Sequence, residues 1–191
     1  MKKVLGVIGS PRKNGNTHVL VSKILEGVQC KGISTDIIFL NDLNIVECDG
    51  CHVCWESEKC AKKDDMSNLY EKVIESDVIV FGTPVYWYGP TALMKGFIDR
   101  FVYFNGPKNR KKIKDKLAII AVPFEEENDE TVAPVVSFFE KSFNFLGVKL
   151  IGKLTVPGVT LRGELKEKKE YMDKAYELGR KISKVINGLN N

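Results

Sequence analysis

The chain has 191 residues, 43% hydrophobic and 28% charged, which suits one globular domain able to bury a core without disulfide or metal staples. A formal net charge of +4 is too slight to argue for a nucleic-acid partner; Lys and Arg gather only at Lys108–Lys116, a run able to dock an acidic protein that reads first as a solvated loop. No run of about 18 apolar residues is present, so no membrane span is expected, and Met1-Lys2-Lys3 leads straight into an apolar run unlike a signal peptide, which makes the cytoplasm the expected location.

Val4–Gly9 (VLGVIG) is short, β-branched and apolar, as a strand buried on both faces would be. A polar loop follows, Ser10-Pro-Arg-Lys-Asn-Gly-Asn-Thr17, and then a helical pattern through Leu20, Val21, Ile24, Leu25 and Val28. Strand, polar loop, helix is the arrangement that binds phosphate at a helix N-terminus. Ser10 and Thr17 bring hydroxyls, Asn14 and Asn16 amides, and Arg12 a guanidinium fork, while the backbone around Gly15 can form an anion nest. The loop matches neither G-x-G-x-x-G nor G-K-[ST], so it suits a single terminal phosphate; the alternative is a plain polar connection with an Asn cap.

Thr35–Leu40 is the second strand, and residues 41–64 then form an irregular stretch longer than an ordinary connection. It holds four of the five cysteines, Cys48, Cys51, Cys54 and Cys60, spaced C-x2-C-x2-C-x5-C. Two-residue gaps let a turning backbone aim successive thiolates at one centre, as in the C-x2-C-x2-C run of bacterial ferredoxins, and Cys60 can close a [4Fe–4S] cube. Zinc, a redox dithiol and unliganded thiols are the other readings; structural zinc favours two separated C-x2-C pairs. His52 is a ligand by type but reads first as a polar residue on the outside of the loop.

Asp64 or Asp65 is placed to cap a helix with the stripe Met66, Leu69, Tyr70, Val73 and Ile74. Val78–Phe81 is the third strand. It runs into Gly82-Thr-Pro-Val-Tyr-Trp-Tyr-Gly89, where Pro84, Val85, Tyr86 and Trp87 offer backbone N–H groups and aromatic faces to a flat ring. The other reading gives Tyr86, Trp87 and Tyr88 to a core or a subunit interface. At least one of them is expected to face outward, near a second aromatic pair at Tyr103-Phe104, which argues for an oligomer. Pro90 is expected to start a helix through Leu93, Met94, Phe97, Ile98 and Phe101. Leu117–Val122 is the fourth strand, a helix runs from about Thr131 to Leu146, the fifth strand lies within Val148–Val156, and a helix over Glu164–Leu189 closes the chain.

Five strands alternating with helices predict a three-layer α/β domain with a parallel sheet. In the order 2-1-3-4-5, ligands sit beyond the strand C-termini between the first and third strands, the two that carry the loops above.

These loops, with Met94-Lys-Gly-Phe-Ile-Asp-Arg100, resemble the flavodoxin-like FMN reductase superfamily, and the cysteine motif is similar to that of the iron–sulfur flavoproteins of anaerobes. The resemblance spans nearly the whole chain. It implies one flavodoxin-like domain over residues 1–191, with FMN held by Ser10, Arg12, Asn14, Gly15, Asn16, Thr17 and Pro84–Trp87. It further implies a [4Fe–4S] cluster on Cys48, Cys51, Cys54 and Cys60 of a 41–64 insertion. Relatives often place a glycine-containing loop after the fourth strand; Val122-Pro-Phe-Glu-Glu-Glu-Asn128 has none, and no flavin contact is assigned to it. The expected activity is electron transfer from a ferredoxin-like donor through the cluster to FMN, in a homo-oligomer. An NAD(P)H-dependent flavin or quinone reductase and an iron- or oxygen-responsive sensor are the rival readings.

Overall fold

The computed structural model describes residues 1–28 and 31–188. Three apolar runs form its centre: β1 (Lys2–Ile8), β3 (Val78–Gly82) and β6 (Leu117–Pro123). All of β3 and β6 is buried, as strands covered on both faces must be. The flanking strands β2 (Ile33–Phe39) and β7 (Lys149–Val156) mix buried and exposed positions, as edges do. All five pair in parallel in the order β2-β1-β3-β6-β7, which is the predicted order 2-1-3-4-5. A separate two-stranded hairpin joins β4 (Val85–Tyr86) to β5 (Gly89–Pro90).

Alternate sheet residues point into two cores. Val4, Ile8, Val78, Val80 and Ile119 pack under α1 (Asn16–Gly27) and α7 (Lys169–Gly188). Val7, Ile79, Phe81, Ile120 and Val122 pack under α3 (Met66–Glu75), α4 (Ala92–Asp99) and α6 (Asp129–Leu146), where Phe81, Phe97, Phe101, Phe139 and Phe143 form one aromatic cluster. At Gly82 a Cβ would stand 2.4 Å from Val21, so glycine there lets α1 lie close to the sheet.

Several expectations needed adjusting. Pro90 belongs to the hairpin, paired with Val85, and α4 starts at Ala92, where the Thr91 hydroxyl caps it by accepting from the Met94 N–H at 3.2 Å. The helix predicted through Phe101 ends at Asp99 and is followed by the short α5 (Val102–Asn105). Tyr103 and Phe104 are buried against Tyr70 and join no exposed aromatic group: the local turn of α5 carries both rings into the core. Lys108–Lys116 is not a free solvated loop. Ile113 is buried, Arg110–Lys112 form a 3-10 turn, and the Lys116 amine donates to the carbonyls of Ile74 and Ser76. The last helix is a 3-10 turn, Glu164–Glu167, followed by α7; the predicted end at Leu189 lies outside the described residues. Among the described residues no helix is long and apolar enough to cross a membrane.

Candidate functional site

Beyond the C-terminal ends of β1 and β3, where strand order reverses, lies a cleft lined by Ser10, Arg12, Gly15, Asn16, Thr17, Pro84, Val85 and Tyr86. Five of the six predicted phosphate-loop residues meet three of the four from the aromatic loop. The Gly9 N–H bonds the Gly82 carbonyl at 2.8 Å, and the Thr91 hydroxyl donates to the Gly9 carbonyl, so the two loops are stitched at their roots. Ser10 and Thr17 are buried, and the Ser10 Oγ accepts from the Arg12 N–H at 3.3 Å. No side chain caps α1, whose N-cap is Gly15, so its first turn is left to an anion. Buried hydroxyl residues, an uncapped helix and an arginine fit a phosphate monoester.

Asn14 and Trp87 do not line the cleft. Asn14 is exposed in the left-handed region (φ 60°), its N–H bonded to His18 Nδ1 at 3.0 Å; burial, with Lys166 nearby, holds that imidazole below its ordinary pKa. Asn16 is committed elsewhere. Its amide donates to the Leu161 carbonyl at 2.9 Å and its Oδ1 accepts from the Leu165 N–H at 3.1 Å. Those bonds fasten the loop after β7 over the phosphate loop, and the Arg162 guanidinium adds a further tie to the Lys13 carbonyl. Thr160 and Arg162 thereby line the cleft, as do Pro123 at the end of β6 and Phe124 and Glu125 after it. Sequence reasoning missed these, and had assigned no contact to the β6 loop. Position at a strand's C-terminal edge was the available signal for both loops.

The cleft encloses about 150 Å³, less than the roughly 300–1,000 Å³ of a full small-molecule pocket. A cleft of that size has room for the phosphate-bearing end of a ligand.

The cysteine loop leaves β2 on the same sheet edge. Lys13 of the phosphate loop pairs with Asp42 at its start, at 2.7 Å. Cys54 is buried on the short α2 (Val53–Glu56), Cys48 and Cys60 are half-buried, and Cys51 is exposed. Burial pushes the Cys54 thiol up in pKa, and Cys60, Cys48 and Cys51 push it further. Among the described residues no three His, Cys, Asp or Glu side chains close to metal-holding geometry. The donor set itself, four free thiols in one loop with Cys54 buried, has the chemistry of a cluster site.

The wall behind these thiols is built from α5 and the basic segment. A Cβ on Gly106 would stand 2.8 Å from the Trp55 ring, Trp55 Nε1 donates to the Val102 carbonyl at 3.0 Å, and buried Asn109 donates to the Cys54 carbonyl at 3.1 Å. His52 is exposed, as expected, and stacks on Trp55 with centroids 4.3 Å apart.

Arg100, just beyond α4, was not singled out from sequence. Its side chain is 1% exposed and that of its partner Asp64 0%. The guanidinium donates to both Asp64 oxygens, to the Val46 carbonyl, and to the Cys60 sulfur at 3.3 Å. Burial pushes the Asp64 carboxyl up, but the Arg100 bond and the N–H groups of Val46 and Met66 outweigh it and hold the carboxyl below its usual range. Burial likewise opposes the Arg100 charge; Asp64, Tyr70 and Cys60 together more than restore it. The signal was its place in the apolar stripe, three residues after Phe97 and four before Phe104.

Comparison with known proteins gives the family. The family profile described as NADPH-dependent FMN reductase matches residues 2–133. An iron–sulfur flavoprotein of Archaeoglobus fulgidus is 30% identical over 185 residues, 96% of this chain and 80% of that protein. One from Methanocaldococcus jannaschii is 42% identical over 98 residues, and the alignment spans about half of each chain (51% and 51%). Among solved structures, a flavone reductase superposes with a TM-score of 0.76 at 21% identity, covering 99% of this chain and 64% of that one, which speaks to the fold. Profile and full-length relative converge on one assignment: the chain belongs to the iron–sulfur flavoproteins within the NADPH-dependent FMN reductase family and is an FMN-dependent oxidoreductase.

Proposed function

We propose that the chain is a single FMN domain whose 41–64 insertion binds a [4Fe–4S] cluster through Cys48, Cys51, Cys54 and Cys60. In this reading electrons enter from a low-potential, ferredoxin-like donor and leave through FMN to an acceptor. The observation that carries it is the placement of α4. Its N-cap Thr91 holds the root of the phosphate loop, and Arg100 at its other end reaches Cys60. Eight helical residues separate the two, about 12 Å at 1.5 Å per residue.

Ser10, Thr17, the first turn of α1 and Arg12 would hold the FMN phosphate, with Arg162 beside them, while Pro84–Tyr86 would support the ring. The cluster supplies single-electron exchange, and FMN supplies the step between one- and two-electron chemistry. Exposed Lys59 and Lys63 flank the thiols and would steer an acidic donor, whereas Lys62 is paired with Asp49 at 2.9 Å.

The test is Cys54→Ala, made and purified anaerobically. Iron and labile sulfide should be lost while FMN remains, since the phosphate loop stands on β1 and α1. The variant should lose reduction by ferredoxin and keep reduction by dithionite. Wild-type rates with ferredoxin would remove the cluster from the electron path. The family's own description favours a second reading, direct reduction by a nicotinamide nucleotide. Reduction of wild-type protein by NAD(P)H alone, unchanged in Cys54→Ala, is the outcome that reading requires.

A further inference from the structure

Arg100 and Asp64 are a charged pair with almost no solvent access, set into a core cluster of aliphatic and aromatic side chains that includes Met66, Tyr70, Phe97, Phe101 and Phe104. Stability alone is a poor reason to keep such a pair, because well-packed apolar side chains of similar volume usually serve a core as well or better. The guanidinium's bonds point to another reason. They hold Val46, two residues before Cys48, together with Cys60 and Asp64 beyond the last cysteine, so one planar fork ties both ends of the cysteine loop to the end of α4. One of its N–H groups ends on a thiol sulfur.

Hydrogen bonds and fixed charges at cluster sulfurs are a principal lever on reduction potential. Accepting one electron from a one-electron carrier makes a cluster more negative by one charge. A buried cation donating to a ligand sulfur favours that reduced state, and a buried carboxylate opposes it. Resting on the cluster reading above, we propose that Arg100 is the positioning residue of the centre, closing the cysteine loop and raising the potential of the cluster through its bond to Cys60, with Asp64 setting the opposing charge. Lysine keeps the charge but cannot serve Asp64, Val46 and Cys60 from one planar fork, so it should restore the effect only in part.

The test compares wild-type protein with Arg100→Gln, Arg100→Lys and Asp64→Asn, all purified anaerobically. Iron and labile sulfide per subunit are assayed first, then the cluster's midpoint potential by a redox titration followed by electron paramagnetic resonance. Arg100→Gln should lower the potential by at least a tenfold change in the oxidised-to-reduced ratio, which is 59 mV for a one-electron couple. Arg100→Lys should fall between it and wild type, and Asp64→Asn should move the potential upward. A merely structural clasp would move stability or iron content but not produce shifts of opposite sign. Four irons and wild-type potentials in both Arg100→Gln and Asp64→Asn would overturn the inference and leave the cluster reading intact. If Arg100→Gln does not retain its cluster, an unchanged potential in Asp64→Asn overturns it alone. Wild-type protein that binds FMN but no iron overturns the cluster reading, and this inference with it, before any variant is measured.

Discussion

Thr17 sits buried in the first turn of α1, where a hydroxyl can reach an anion bound at the helix N-terminus. Thr17→Val keeps its shape and removes that donor. A hydrogen bond to a charged group contributes roughly 1.5–3 kcal/mol, so FMN should bind roughly ten- to a hundredfold more weakly, read by quenching of flavin fluorescence. Riboflavin, which has no phosphate, should bind as to wild type; parallel losses for both flavins would deny Thr17 a phosphate contact. Asn16→Ala should also weaken FMN, by a different route, because its amide holds the 161–165 loop rather than facing the cleft. Ser10, Arg12 and Thr17 were legible because a strand, a loop and a helix start are local and contiguous. Arg162 was not: it reaches Lys13 across 149 positions of sequence, and no local pattern encodes that contact. Arg100 was hidden differently, since a helix-end arginine in an apolar stripe reads the same whether it snorkels outward or turns inward.

The β4–β5 hairpin shows an element working against local preference. Trp87 and Tyr88 form its two-residue tip, both at positive φ (50° and 60°), the conformation that Asn-Gly adopts most easily. Residues held there cost of order 1–3 kcal/mol each. Trp87 is nevertheless 97% exposed and gains no burial within the subunit in return. Strain of that kind, on a fully exposed tryptophan, is offset most simply by contact with a second copy. Changing Trp87 to Asn together with Tyr88 to Gly should therefore leave thermal stability of the monomer equal or higher while weakening self-association. Lower stability with unchanged association would assign the tip to folding instead. The element itself was partly legible: Pro84 and the aromatic run marked a rigid loop, but Pro90 reads equally as a helix start or a hairpin strand until its partner Val85 is known.

For the whole molecule, strand order was the most legible property. β1 from Val4 onward, β3 and β6 are uninterrupted apolar runs, and the preference for right-handed crossovers between parallel strands leaves few ways to arrange them. The expectation of an oligomer rests on less, because half of its sequence argument used Tyr103 and Phe104, which turn into the core. What remains is the exposed Tyr86–Tyr88 surface beside the cleft. A homo-oligomer is the expected state in solution. Light scattering at micromolar concentration should give a multiple of 21.5 kDa, and a mass at 21.5 kDa itself would reject it.

The two tryptophans fall one to each site. Trp55 lies half-buried beside Cys54, stacked on His52 and tethered to Val102, and in the single chain Trp87 stands in solvent at the hairpin tip near the cleft beyond β1 and β3. The chain thus carries two intrinsic fluorophores in unlike surroundings, a shielded one at the thiols and one at the rim that is hydrated and red-shifted in a lone subunit and shielded where a second copy covers it. Loading of the cysteine loop and occupation of the cleft or its outer face become separately visible in emission, without a label, once either ring is exchanged for phenylalanine.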